Sequence, residues 1–314
     1  VIELAAIEAA RDRIAGVAFR TPLVRLQVDA EAEIYLKLEN LQPINSFKIR
    51  GATNAVMLAP ESERAKGLVT ASAGNMAQGV AWAARELGVP ASIVVPESAP
   101  QAKLAAIERL GGRVFKRPYD DWWNVIITSQ ADGLEGMFVH PVQDAAVMAG
   151  NGTIGLEILE DLPDPDAVII PYGGGGLTAG IASAIKALRP ETAIITAEPS
   201  TGAGFAAAMA AGAPVDAPFS ASFVDGAGSR RVLDSMWPLV RPLVDRAVAV
   251  PLADVANAVR VLAERARVIA EGAGALAPAA ALSGRAGGGK LVCVVSGGNI
   301  NLSKLTEILQ GADS

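Results

Sequence analysis

Asn45-Ser46-Phe47-Lys48-Ile49-Arg50-Gly51-Ala52 places a lysine between a serine–phenylalanine pair and a glycine–alanine step. The stretch follows an alternating apolar run, Ile34-Tyr35-Leu36-Lys37-Leu38-Glu39, which reads as a strand. Gly51 to Leu58 then continues as a helix. A lysine on a strand-to-helix turn lies where open α/β folds place ligands, at the carboxyl ends of strands. The ordinary alternative is a solvated loop lysine, because lysine is seldom buried unless paired. The segments on either side of Lys48 decide between the two.

Working outward, helix and strand alternate throughout. Leu4, Ile7, Ala10 and Ile14 recur at helical spacing, and Thr21-Pro22-Leu23 ends that helix. Gly67 to Thr70 reads as a strand, followed by Ala71-Ser72-Ala73-Gly74-Asn75-Met76-Ala77-Gln78-Gly79 and an alanine-rich helix ending near Gly88. Further strands are expected at Ala91 to Val95, Arg113 to Phe115 and Met137 to Val139. Helices are expected at Gln101 to Leu110 and Asp121 to Ala131. A chain of 314 residues divides most naturally into two α/β domains. We assign residues 1–51 plus 143–314 to the larger and 52–142 to the smaller, inserted domain.

Two glycine-rich turns carry the chemistry of the second half. Ala167 to Tyr172 is a buried strand, and Gly173-Gly174-Gly175-Gly176-Leu177-Thr178-Ala179-Gly180 opens a helix after it. Four consecutive glycines cost backbone entropy and contribute no packing. They make sense where backbone N–H groups at a helix N-terminus approach an anion such as a phosphate. No Gly-Lys-Ser/Thr follows, so this is not a Walker A loop. A nucleotide reading would have to use Glu198, after the next strand, for the ribose. Near the C-terminus the strand Lys290 to Val295 ends in Ser296-Gly297-Gly298-Asn299, and Gly284 to Gly289 reads as a surface loop.

Composition removes several classes of function. Net charge is −6, against nucleic acid as a partner. No run of about 18 apolar residues offers a membrane span, and Val1-Ile2-Glu3-Leu4 lacks the basic and apolar regions of a secretory signal. The single cysteine, Cys293, lies in an apolar strand and reads as a buried structural thiol in a reducing, cytoplasmic compartment. With one histidine, His140, neither a zinc site nor a Ser-His-Asp triad is well supplied. Lysine therefore becomes a serious candidate base.

Ser46-Phe47-Lys48, Ser72-Ala73-Gly74-Asn75, Gly173 to Gly176, Glu271-Gly272-Ala273-Gly274-Ala275 and Ser296-Gly297-Gly298-Asn299 stand in the order found in one family. The chain resembles the pyridoxal-phosphate (PLP) enzymes of the tryptophan-synthase-β fold group, fold type II. Within it, the branch resembled is that of threonine/serine dehydratases and serine racemases. The resemblance implies two open-sheet α/β domains with PLP in the cleft between them. It implies that Lys48 holds PLP through its ε-amino group and, once freed by substrate, acts as base at Cα. Phe47 packs beside the cofactor ring, Asn75 hydrogen-bonds its phenolic oxygen, and Gly173, Gly174, Gly175, Gly176 and Leu177 bind its phosphate. Ser296 faces the pyridine nitrogen, and Glu271 is counted among the cofactor-binding residues. Ser72 receives the substrate carboxylate within a substrate-binding stretch formed by Ser72, Ala73, Gly74, Asn75 and Met76. A serine near the pyridine nitrogen cannot hold a full pyridinium proton, which favours early loss of a β-leaving group. A homodimer or homotetramer acting on a small amino acid is implied, with no metal.

The departures refine this expectation. Ala73 stands where serine racemases carry a second serine as base, which points to one-sided chemistry and a dehydratase. Met76 replaces a histidine and Asn45 a glycine. Trp122 or Trp123 could line the pocket or simply fill core; lining it would favour a bulky β-substituent. Glu198 has no second carboxylate in Pro199 to Phe205, which leaves a family metal site incomplete. The chain is expected to lack the regulatory domain of feedback-controlled dehydratases. The expected activity is ammonia release from L-threonine or L-serine. The alternatives are a phenylserine- or hydroxyaspartate-type dehydratase, a racemase, a β-replacement synthase, and a non-catalytic ligand-sensing relative.

Overall fold

The structure is a computed structural model and describes residues 1–313. Among the described residues ten strands occur in chain order: β1 (Leu23–Arg25), β2 (Glu33–Leu38), β3 (Leu68–Ala71), β4 (Ala91–Pro96), β5 (Gly112–Arg117), β6 (Met137–Phe138), β7 (Ala167–Pro171), β8 (Ala193–Pro199), β9 (Arg246–Val250) and β10 (Lys290–Val295). They form a six-stranded sheet in the order β1-β2-β10-β7-β8-β9 and a four-stranded sheet in the order β5-β4-β3-β6. Every pairing is parallel except that of β1 with β2.

Parallel sheets are covered on both faces, so their central strands read as unbroken apolar runs. That is the pattern of β7 and β10, where all five residues of β7 and all but Lys290 of β10 are buried. Alternate side chains supply two cores. Ile169, Cys293, Val295 and Leu36 pack on one face of the larger sheet. Val168, Ile170, Val292 and Val294 pack on the other. The smaller sheet has its main core against the helices Lys48–Leu58 and Asn75–Leu87. A lesser cluster lies beneath the helix Tyr119–Thr128.

Two helices serve both sheets. In Lys48–Leu58 the first turn is tied to the end of β10, and Ala52, Ala55 and Val56 enter the core of the smaller sheet. In Ala145–Asp161, Val147 joins that same core while Met148, Ile154 and Ile158 pack on the larger sheet. The expected boundary between Gly51 and Ala52 therefore falls inside one continuous helix.

Local boundaries differ by a few residues where caps decide. The helix expected at Asp121 to Ala131 spans Tyr119–Thr128 and stops at Ser129, which adopts a left-handed φ of 55°. Glu198 lies within β8, not after it. Among the described residues, no helix is long and apolar enough to cross a membrane.

Candidate active site

Lys48 opens its helix, and the turn before it is held from two directions. Phe47 N–H donates to the Ser296 carbonyl at 3.0 Å, and Ser46 forms an isolated antiparallel bridge with Gly297. The carboxyl end of β10 thereby fixes where the lysine stem begins. The Nζ donates to the Pro141 carbonyl at 3.0 Å and lies 5.1 Å from the centroid of the Phe47 ring. Burial, with no carboxylate beside it, lowers the Lys48 ammonium pKa from its usual value to about 8. An appreciable fraction is thus free amine near neutral pH, which a nucleophile or base requires.

A small pocket surrounds this amine. It is lined by Phe47, Lys48, Val142, the Gly173–Leu177 loop and Ser296, among others. Gly175 has φ +95°, a conformation that favours glycine. At Gly174 a Cβ would come within 2.5 Å of Val142 Cγ2, and at Gly176 within 2.8 Å of the Val142 carbonyl. The neighbour that requires glycine at these two positions is thus the Pro141–Val142 segment. Gly173 alone has ordinary clearance, 3.4 Å. The helix Gly176–Leu188 that follows has no side-chain cap and no acidic residue in its first turn. Its first N–H groups are unsatisfied donors at the positive end of the helix dipole. A lysine amine, an uncapped helix N-terminus and a neutral serine around one pocket fit PLP: an aldehyde for the amine, a phosphate for the N–H groups.

The Pro141–Val142 segment carried no signal in the sequence, and His140 shapes it. His140 Nδ1 accepts from the N–H groups of Val142 and Gln143 at 3.0 and 2.9 Å, and Nε2 lies 3.1 Å from the Ile126 carbonyl. Nδ1 is therefore the acceptor and Nε2 carries the proton. Burial holds the imidazole below its usual pKa, so it remains neutral. His140 organises the turn that meets both Lys48 and the glycine loop.

Asn75 begins the helix Asn75–Leu87 at the end of β3, after Gly74 as N-cap. Its amide crosses the cleft. Nδ2 donates to Glu271 Oε1 at 2.7 Å, and Oδ1 accepts from Asn299 Nδ2 at 2.7 Å. Asn299 Nδ2 also donates to the Ile44 carbonyl at 2.9 Å, while Asn299 Oδ1 accepts from Asn45 Nδ2 at 3.3 Å. Asn45 holds φ +56°, which asparagine tolerates better than most residues and glycine most easily. Its replacement of a glycine thus keeps the backbone shape and adds one hydrogen bond. Burial raises the Glu271 carboxyl to about 7; the neighbouring Asp225 charge also raises it, while Asn75 and Lys103 oppose the rise.

Ser72, Ala73 and Gly74 lie half-buried between β3 and Asn75, and Ser72 Oγ accepts from the Gly74 N–H at 3.2 Å. Met76 sits elsewhere. Its side chain is 2% exposed within the core between the smaller sheet and its helices. The tryptophans are also away from the pocket around Lys48. Trp122 packs with Ala71, Val94 and Val125 on the far face of the smaller sheet, and Trp123 is 43% exposed. Of the two roles open to the tryptophans, Trp122 takes the core-filling one, and Met76 likewise packs in core, so neither adds apolar surface to the pocket. Glu198 uses its two oxygens to accept from the N–H groups of Phe205 and Ala206, at 3.0 and 2.8 Å, at the start of the helix Gly204–Ala211.

Behind Lys48 lies a group that sequence reasoning missed. Arg50 binds Glu39 at 2.8 Å and Glu157 at 2.6 Å, and Lys37 binds Glu157 at 2.5 Å; all four side chains are at most 7% exposed. Burial alone would push the Glu39 carboxyl up, but the Arg50 guanidinium outweighs it and holds the carboxyl below its usual value. The available hint was a pair of charges, Lys37 and Glu39, in and just past a largely apolar strand.

A family profile described as "Pyridoxal-phosphate dependent enzyme" matches residues 14–297. The chain belongs to this family. It is 41% identical to the L-threonine ammonia-lyase of Thermotoga maritima over 98% of this chain and 78% of that protein. It is 40% identical to the catabolic L-threonine dehydratase TdcB of Escherichia coli K12, over 97% of this chain and 95% of that protein. Among solved structures, maize serine racemase superposes with TM-score 0.90 at 33% identity, covering 98% of this chain and 97% of that one. The processed form of threonine deaminase isoform 2 from Solanum lycopersicum gives TM-score 0.88 at 35% identity, covering 98% and 92%. The two-sheet α/β architecture of this PLP enzyme is accordingly the tryptophan-synthase-β type.

Proposed function

We propose that this PLP enzyme is an ammonia-lyase, a dehydratase that converts a β-hydroxy-α-amino acid, L-threonine or L-serine, to a 2-oxo acid and ammonia. The observation that carries the reading is Lys48: a buried amine with a lowered pKa, facing a pocket shared by the glycine loop and Ser296. The names of the two dehydratase relatives support the same chemistry. PLP, when bound, supplies the electron sink that makes the Cα–H bond of the amino acid acidic.

The chain's own residues do the rest. Lys48 Nζ accepts the Cα proton, and the Pro141 carbonyl orients the amine. The uncapped N–H groups at the start of the Gly176–Leu188 helix would hold the phosphate, and Ser72 with the backbone after it would receive the substrate carboxylate. Phe47 and Ser296 line the same pocket; with PLP bound, Phe47 would pack beside its ring and Ser296 would offer the pyridine nitrogen an uncharged partner. Loss of the β-hydroxyl as water leaves an unsaturated amine, and water addition after its release gives the 2-oxo acid and ammonia. Ala73 has no group able to return a proton from the opposite side, which favours dehydration over racemisation. Residues 1–51 plus 143–314 act as the cofactor-binding domain and 52–142 as the substrate-binding domain, in a cytoplasmic homodimer or homotetramer.

The test is a steady-state screen of serine, threonine, hydroxyaspartate and phenylserine for 2-oxo acid formation. L-threonine or L-serine is expected to be the best substrate, since neither Trp122 nor Met76 enlarges the pocket. No 2-oxo acid from any of the four overturns the proposal. Appreciable D-serine formed from L-serine with solvent deuterium at Cα favours a racemase instead.

A further inference from the structure

Glu271 is buried at the start of the helix Gly272–Leu282 and borders a cleft also lined by Lys103, Asp225 and Asn299. Its Oε1 accepts from Asn75 at 2.7 Å and would collide with a Cβ on Gly297, so a larger residue than glycine there would displace it. The Asn75 amide is consequently fixed in one orientation. Asn299, held by Ile44 and Asn45, fills its Oδ1, and Glu271 takes one of its two N–H hydrogens. The second N–H hydrogen is the one left for a ligand.

Resting on the proposed placement of Asn75 beside the cofactor, we propose that Glu271 is a positioning residue that acts on the cofactor through Asn75. Its protonation state sets how strongly the Asn75 amide is held and polarised. An ionised carboxylate forms the stronger, charge-assisted bond to the amide, and a protonated one forms a weaker bond. The charged groups facing Glu271 tune that switch. Lys103, from the helix Gln101–Arg109, and Asp225, from the loop before Gly226, pair with each other at 2.5 Å across the cleft. They act on Glu271 with opposite sign: Lys103 favours the ionised form and Asp225 the protonated one. The Asn299 backbone N–H also favours the ionised form.

The test reads the bound cofactor, not turnover. Absorbance of the reconstituted holoenzyme and its Kd for PLP are measured from pH 5.5 to 9 for the wild type and four variants. The wild type should show a transition near neutral pH that disappears in Glu271→Gln and in Asn75→Ala. Asp225→Asn should move its midpoint down and Lys103→Met should move it up, each by roughly half a pH unit. Simple loss of the Lys103–Asp225 pair would shift both variants in the same direction. A transition that survives Glu271→Gln, or shifts that share a sign or vanish, overturns the proposal. If Glu271→Gln does not fold, the two opposite shifts decide alone. A normal titration without 2-oxo acid formation overturns the lyase reading and leaves this one standing.

Discussion

The Lys48 amine is desolvated without being paired, and this combination matters most for its chemistry. A salt bridge would have kept it protonated; desolvation by burial favours the neutral form. The folded-state pKa is lowered, so stability tied to this group is complete above the unfolded value and is lost as pH falls through about 8. The rate at which the cofactor-free protein captures PLP should rise with pH and level off above about 8, followed by absorbance. Lys48→Ala should abolish turnover, and borohydride reduction of the wild type followed by peptide mapping should place the cofactor on Lys48. A label on any other lysine refutes the assignment.

At the level of the element, the glycine loop meets two demands. It leaves helix N–H groups open to a phosphate, and it lets the Pro141–Val142 turn press against it. The two demands separate by position. Gly174→Ala drives a methyl into Val142 and should cost about 1–3 kcal/mol of stability, with weaker PLP binding. Gly173→Ala has clearance and should be milder in chemical denaturation. The helix Gly204–Ala211 poses a different case. Glu198 satisfies its first N–H groups, yet burial raises the Glu198 carboxyl to about 7. A raised carboxyl pKa means stability that is complete below the unfolded value and lost as pH rises through about 7. The fall in Tm between pH 5 and pH 8 should therefore be smaller in Glu198→Gln than in the wild type; an unchanged fall rules out this contribution.

Across the whole molecule, the Lys48 helix is the joint between the two sheets, and buried charge fastens it. Arg50 ties it to Glu39, just past β2, and to Glu157 in the helix Ala145–Asp161, with Lys37 completing a neutral group of four. Such a group stabilises little relative to an apolar replacement of the whole set, but breaking it leaves charges stranded. Arg50→Met should cost about 3–5 kcal/mol in urea denaturation. The double variant Arg50→Met with Glu39→Gln should recover part of that loss. No recovery means that Arg50 matters through packing alone.

Local pattern was enough to read the alternating strands and helices, because parallel strands covered on both faces are near-continuous apolar runs. The lysine turn, the glycine loop and the serine–glycine–glycine–asparagine turn were legible for a related reason. Their residue types carry a chemical cost that points to a site, although at Gly174 and Gly176 close packing on Val142 also requires glycine. Other features depended on side chains meeting across long separations. The four-charge group joins residues up to 120 apart in sequence, and Asn75 meets Glu271 from 196 residues away. Met76 reads as part of the substrate stretch because it follows Asn75 directly in the chain, and sequence alone leaves Trp122 open between lining the pocket and filling core. On a helix, successive side chains point in different directions, so Asn75 can face the cleft while Met76 faces the core. Which way each side chain turned was decided by how the helices packed on the smaller sheet, and only the tertiary structure contains that packing.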